Sequence, residues 1–246
     1  MYRFVFLLII SVTRFFASEP LQWGENVTGV VTSFHTDSPE VALTFDACGG
    51  SLRSSQFDEK LISFLIRNQI PATLFINARW IDSNPDIFHK LASNPLFEIG
   101  NHGTLHRPLS VNGRSVYDIN GTASPEEVVK EIDGNEQKIA KLTGKHPLFF
   151  RTGTAYYDDE SVRIARSYGV EIAGFSVLGD AGATLDSIEV ARRIGNAKKG
   201  DIIIAHMNHP ESGTREGVIE GVLRLKLEGF RFVRLSDVKD RLNRFP

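Results

Sequence analysis

A chain of 246 residues with 28 basic and 30 acidic side chains has a formal net charge of −2, which gives no electrostatic reason to expect nucleic acid or an anionic membrane as partner. At 41% hydrophobic residues it can bury one substantial core. A single cysteine, Cys48, excludes an intrachain disulfide and a zinc site built on paired cysteines.

The amino terminus, Met1 to Val12, sets Arg3 before a short apolar run, and polar sequence begins near Ser18. Such a run is too short to span a bilayer comfortably and resembles an export signal. Residues 1-18 are therefore expected to be a signal peptide or an N-terminal anchor. Arg14 and Phe15 occupy places where cleavage favours small residues, which keeps the anchor open. Either reading sends the chain to the periplasm or the cell exterior.

After a polar lead-in, seven strand-like apolar runs follow: Val41–Phe45, Ala72–Ile76, Phe97–Gly100, Leu148–Phe150, Val170–Phe175, Asp201–Ala205 and Arg231–Leu235. Helical patterns lie between most of them. Phe57, Leu61, Phe64 and Leu65 keep helix spacing up to Asn68. Ser124-Pro-Glu-Glu127 reads as a capping box, with Val128, Ile132, Ile139 and Leu142 on one face and Gly144 at the end. Asp158 or Asp159 caps the next helix, which turns Val162, Ala165 and Tyr168 inward. Ile188–Ile194 and Gly217–Leu227 read as two further helices, and Ser236 as the cap of a short last one. Strand alternating with helix, without a composition break, predicts one α/β domain over residues 38-240 with a parallel sheet, open or closed into a barrel.

Polar residues gather where these strands end. Asp46 ends the first, His102 and His106 follow the third, Arg151 ends the fourth, Asp180 trails the fifth and His206 ends the sixth. Carboxyl ends of parallel strands share one face, so these side chains should converge. His102 and His106, four residues apart, would lie on one side of a helical turn and share a divalent metal. Arg151 suits holding a carboxylate in its ionised form, and His206 suits proton donation near neutral pH, with His209 as its substitute. The long loop from His106 to Ala123 is placed to shape the site. Asn26-Val-Thr and Asn120-Gly-Thr are glycosylation triplets that matter only in a eukaryotic secretory host.

Thr44-Phe-Asp46, Asn101-His-Gly-Thr-Leu-His106, Phe150-Arg151 with Tyr156 or Tyr157, Phe175-Ser-Val with Asp180, and Ile204-Ala-His206 resemble the five motifs of the polysaccharide deacetylases with a NodB homology domain, carbohydrate esterase family 4. The resemblance covers Val41 to Val238 and implies a distorted (β/α) barrel of about seven parallel strands. It implies a metal-dependent N-deacetylase of a sugar polymer, with peptidoglycan ahead of chitin or xylan. His102 and His106 would hold the metal, usually zinc, Asp46 would be general base, and His206 would protonate the departing amine. Arg151 would orient Asp46, Asp180 would tune His206, and Tyr156 and Asn208 would contact the N-acetylated glycan. The family's first motif has a second aspartate as third metal ligand, and here that position is Ala47. Asp46 itself, another group or no group then completes the site. Cys48 is a candidate as a soft ligand or as a small buried thiol. A catalytically silent glycan-binding protein and a metal-free amidase acting on a small molecule are the competing functions. The third motif is also longer than the family's, Arg151-Thr-Gly-Thr-Ala-Tyr156, and leaves the oxyanion donor open.

Overall fold

The central strand β1, Glu40–Ala47, is buried along its whole length, as a parallel strand covered on both faces requires. It belongs to a computed structural model that describes residues 18–246, so the expected signal or anchor lies almost wholly outside the described residues. The main sheet continues with β2 (Ala72–Ile76), β3 (Phe97–Asn101), β4 (Phe149–Phe150), β5 (Glu171–Ile172), β6 (Val177–Leu178), β7 (Ile202–His206) and β8 (Arg231–Val233). All its pairings are parallel, in the order β5-β4-β3-β2-β1-β7-β6. Strand β8 lies beside the first half of β1, and β2 beside the second half. The expected curled parallel barrel is the observed fold.

Helices α1 (Glu59–Arg67), α2 (Ala78–Ser83), α3 (Pro85–Ser93), α4 (Pro125–Thr143), α5 (Asp159–Ser167), α6 (Ser187–Gly195) and α7 (Thr214–Leu227) cover the sheet. Their starts follow local chemistry. Asp58 accepts the Leu61 N–H at 3.0 Å, and Asp158 accepts that of Ser161 at 2.7 Å. Ser124 caps α4 as predicted, Pro125 opens it, and Gly144 ends it at a φ of 72°.

Three expectations change. The run Val170–Phe175 is not one strand: only β5 falls within it, and the chain then crosses to β6, at the opposite edge of the sheet. Residues 173–176 bridge these edges, with Gly174 N–H donating to Val31 O and Ser176 N–H to Ile202 O. The run is apolar because Ala173 and Phe175 pack into a core cluster with Val31 and Ile202. Tyr168 and Leu142 do not turn inward; their relative exposures are 38% and 36%. The last turn is a 3-10 helix over Leu235–Arg241, begun by Asp237 accepting the Arg234 N–H, with Ser236 inside it. The polar lead-in also carries unforeseen structure. Val31–Phe34 pairs antiparallel with Leu242–Arg244, and Val27, Val30 and Val31 are buried.

Asn77 ties this scaffold to the loop that follows β3. Its side chain caps α2 by accepting the Arg79 N–H at 3.0 Å and donates to the carbonyls of His102 and Gly103 at 2.9 and 2.8 Å. It is fully buried, so truncation strands several polar groups. Asn77→Ala is expected to cost about 1–3 kcal/mol in a urea unfolding series with an unchanged slope. A loss within the ~0.5 kcal/mol typical of surface changes would contradict this role.

Candidate active site

Parallel register decides which side chains meet. His206 pairs with Asp46, Ala47 with Ile76, Ile76 with Asn101, and Asn101 with Phe150, so one rim receives Asp46, His206, His102 and Arg151. A cleft of about 430 Å³ opens at this rim, lined among others by Asp46, Cys48, His106, Tyr117, His206 and His209.

Arg151 is wholly buried beneath the cleft. Its Nη1 donates to Asp46 Oδ1 at 2.8 Å and to Thr44 Oγ1 at 2.9 Å. Its Nε and Nη2 donate to the carbonyls of Ala173 and Gly174 at 2.9 and 2.8 Å. The guanidinium also lies 4.2 Å from the centroid of Phe75. Asp46 is thereby fixed in orientation, with Oδ2 directed toward His102 Nε2 at 3.7 Å.

The two histidines meet by a route other than the helical turn predicted. Residues 102–106 form a loop with Gly103 and His106 at φ values of 79° and 64°. Glu131 of α4 holds it, accepting the N–H groups of Leu105 and Arg107 at 3.0 and 3.2 Å. Gly153 leaves the space that the His106 ring occupies, since a Cβ there would lie 2.2 Å from the ring. The two rings stand 4.9 Å apart, edge to face. His102 Nδ1 lies 3.0 Å from the Arg151 carbonyl, which only accepts, so Nδ1 carries the proton and Nε2 faces the cleft side. His106 Nε2 is buried with no hydrogen-bond partner among the described residues.

A ligand atom from each of Cys48, His102 and His106 lies within 4.8 Å of the other two. Two inward imidazoles, one orphaned nitrogen and a thiol form a donor set suited to a divalent metal, so these residues fit the cofactor expected from the sequence.

His206 stands beside Cys48 at the same cleft. Its backbone N–H and Nδ1 donate to the two oxygens of Asp180 at 2.7 and 2.9 Å, and Thr214 Oγ1 donates to the same carboxylate at 2.9 Å. Burial opposes charge on His206, but the Asp180 carboxylate outweighs it and raises the imidazole well above its usual range. Burial likewise opposes ionisation of Cys48, yet the neighbouring His106 and His102 rings bring the thiol well below its usual range.

Two expected substrate contacts sit elsewhere. Asn208 is fully buried and donates to the Ser54 carbonyl at 2.7 Å, so it braces a turn rather than lining the cleft. Tyr156 packs between Trp23, tilted at 5.8 Å, and Tyr117, edge to face at 5.7 Å, and it is Tyr117, 67% exposed, that borders the cleft. Glu131, Thr214 and Tyr117 went unmarked because their partners are distant in sequence. Cys48 carried a readable signal: it stands two residues beyond Asp46, on the same side of an extended chain.

A family model described as polysaccharide deacetylase matches residues 34–173. An uncharacterized protein of Bacillus subtilis (strain 168) is 22% identical over 215 residues, 83% of this chain and 58% of that protein, so the chain spans under two thirds of that relative. The peptidoglycan-N-acetylmuramic acid deacetylase PdaA of the same strain is 19% identical over 214 residues, 83% of this chain and 73% of that protein. A solved peptidoglycan N-acetylglucosamine deacetylase superposes with a TM-score of 0.72 at 24% identity, over 86% of this chain and 92% of its own. A wild-type carbohydrate esterase family 4 pseudoenzyme from Bacillus anthracis superposes with a TM-score of 0.70 at 20% identity, over 86% of this chain and 69% of its own. The structural likenesses establish the fold.

The Asp180–His206 pair sets a pH dependence. Were His206 the general acid expected from the sequence, it would have to be protonated to act, and the raised His206 stays protonated until pH climbs through its elevated range. Asp180→Asn is expected to move the alkaline limb of a kcat/KM profile to lower pH and to lower its plateau about a hundredfold. An unmoved limb would contradict this assignment.

Proposed function

The chain belongs to the polysaccharide deacetylase family, and from that premise we propose that it is a metal-dependent hydrolase that removes N-acetyl groups from a sugar polymer, foremost peptidoglycan. One observation carries this reading. Asp46 and His206 are register partners at one rim, each held by its own buried partner, with two imidazoles of a metal-type donor set beside them. A glycan-binding surface needs none of that proton chemistry.

A divalent metal held by His102 and His106, with zinc the leading candidate, would supply Lewis-acid polarisation of water and of the acetyl carbonyl. Asp46, aligned by Arg151, takes a proton from the attacking water as its oxygen bonds to the carbonyl carbon. His206, charged through Asp180, delivers its proton to the sugar nitrogen as the C–N bond breaks. Acetate and a free amine leave, and proton exchange with solvent restores both residues. Tyr117 offers an exposed aromatic face at the cleft mouth for a sugar ring.

Peptidoglycan leads because two of the relatives named above are peptidoglycan deacetylases and because the apolar amino terminus supports export. Residues 1-18 then act as signal or anchor, and the domain works in the periplasm or outside the cell. A second reading, a silent glycan binder, draws on Ala47 and on the fold shared with a pseudoenzyme.

Acetate release from N-acetylated peptidoglycan and from chitin oligomers separates the two. Zinc-replete protein is expected to release acetate and free amine in equal amounts, with loss on chelation, and His206→Ala is expected to reduce kcat by about 10²–10⁴. No acetate from either glycan under zinc-replete conditions would hand the case to the silent binder.

A further inference from the structure

We propose that Cys48 supplies the third metal ligand in place of the carboxylate missing at position 47, and that the centre is therefore built for a thiophilic dication, zinc or cobalt, rather than for magnesium or manganese. This deepens the deacetylase reading and rests on it only for the presence of a metal.

Chain direction explains the substitution. Ala47 is the last residue of β1 and packs, fully buried, into the apolar core, so a carboxylate grafted there in this backbone would enter that core. Cys48 comes back to the face that Asp46 occupies and borders the cleft. The turn beyond it is rigid. Gly49 has a φ of 69°, and a Cβ there would lie 2.4 Å from the Trp80 backbone nitrogen. The Gly49 N–H donates to Ser54 O at 2.9 Å, and Ala47 O accepts the Asn77 N–H at 3.0 Å. The thiol is thus delivered to a fixed place by backbone on both sides.

Distances match a metal centre. Zinc bonds of about 2.3 Å to sulfur and 2.0–2.1 Å to nitrogen, meeting at a tetrahedral angle, set the two ligand atoms about 3.6 Å apart. Cys48 Sγ lies 3.9 Å from His102 Nε2. His106 Nε2 is buried without a partner among the described residues, which leaves a nitrogen lone pair or N–H for a ligand to satisfy. Asp46 is the rival ligand through Oδ2, 3.7 Å from His102 Nε2, but the set whose ligand atoms all lie within 4.8 Å of one another is Cys48, His102 and His106 and does not include it. Its Oδ1 is already committed to Arg151. Ligation by sulfur therefore frees Asp46 for proton transfer, a division of labour that ligation by Asp46 would abolish. An inert packing thiol would be enclosed by apolar side chains, whereas Cys48 is partly exposed and faces imidazole nitrogen. Thiolate and imidazole donors select zinc and its neighbours, and oxygen donors select magnesium, calcium and manganese.

The test is cobalt(II) titration of the metal-free full-length protein, read by absorption, with zinc competition. Wild type is expected to show visible cobalt bands together with a near-ultraviolet thiolate-to-cobalt charge-transfer band, both abolished by one equivalent of zinc. Cys48→Ser is expected to lose the charge-transfer band and to weaken zinc by more than the ~10–100-fold typical of losing an outer-shell partner. Cys48→Asp is expected to bind cobalt without that band, and circular dichroism reports whether either variant is folded. Visible cobalt bands without charge transfer in wild type, or a folded Cys48→Ser with unchanged zinc affinity, would overturn the assignment. Acetate release from the same zinc-loaded sample keeps the two readings apart. Charge transfer without acetate leaves Cys48 as ligand and removes the deacetylase, and acetate without charge transfer does the reverse.

Discussion

The Arg151 guanidinium ties the end of β4 directly to β1 and to the segment between β5 and β6, across a sheet in which β3 and β2 lie between β4 and β1. Four hydrogen bonds and an aromatic face satisfy a charge that has no access to water. Removing one member of such a buried pair leaves the other uncompensated, a loss of about 3–5 kcal/mol. The same residue serves the site twice. Its side chain orients Asp46, and its carbonyl fixes the tautomer of His102. The tie across the sheet and the orientation of Asp46 and His102 are thus one constraint.

That coupling bears on the difference between an enzyme and a fold that has lost its activity. A pseudoenzyme and peptidoglycan deacetylases share this architecture, so architecture alone does not separate them. In this chain the loss of a carboxylate at position 47 stands beside an intact Arg151–Asp46 pair, an intact Asp180–His206 pair and two converging imidazoles. Asp46 and His206 keep their buried partners, and Cys48 Sγ lies 3.9 Å from His102 Nε2.

Much of this was legible in the sequence because strand ends are local events. An apolar run followed by one polar residue marks Asp46, Arg151 and His206 at the rim, and parallel pairing does the rest. What escaped reading depends on distant partners. The run Val170–Phe175 has the composition of a buried strand whether it pairs once or bridges two edges. Val31–Phe34 has few residues to reveal it, because it is stabilised by pairing with the far end of the chain. The HxxxH spacing suggested a helical turn, yet the rings meet through positive φ values held by Glu131, an arrangement invisible without α4 in place. Asn208 reads as a sugar contact by type, and only its burial beside Ser54 shows that it braces the turn.

The most direct measurement is a crystal structure of the zinc-loaded protein with anomalous scattering recorded at the zinc edge. The expected result is one peak within bonding distance of Cys48 Sγ and of a nitrogen from each of His102 and His106, with Arg151 still on Asp46 Oδ1 and that carboxylate outside the coordination sphere. A zinc ion bound by Asp46 with Cys48 turned away, or no peak between the two histidines, would contradict this account of how the site works.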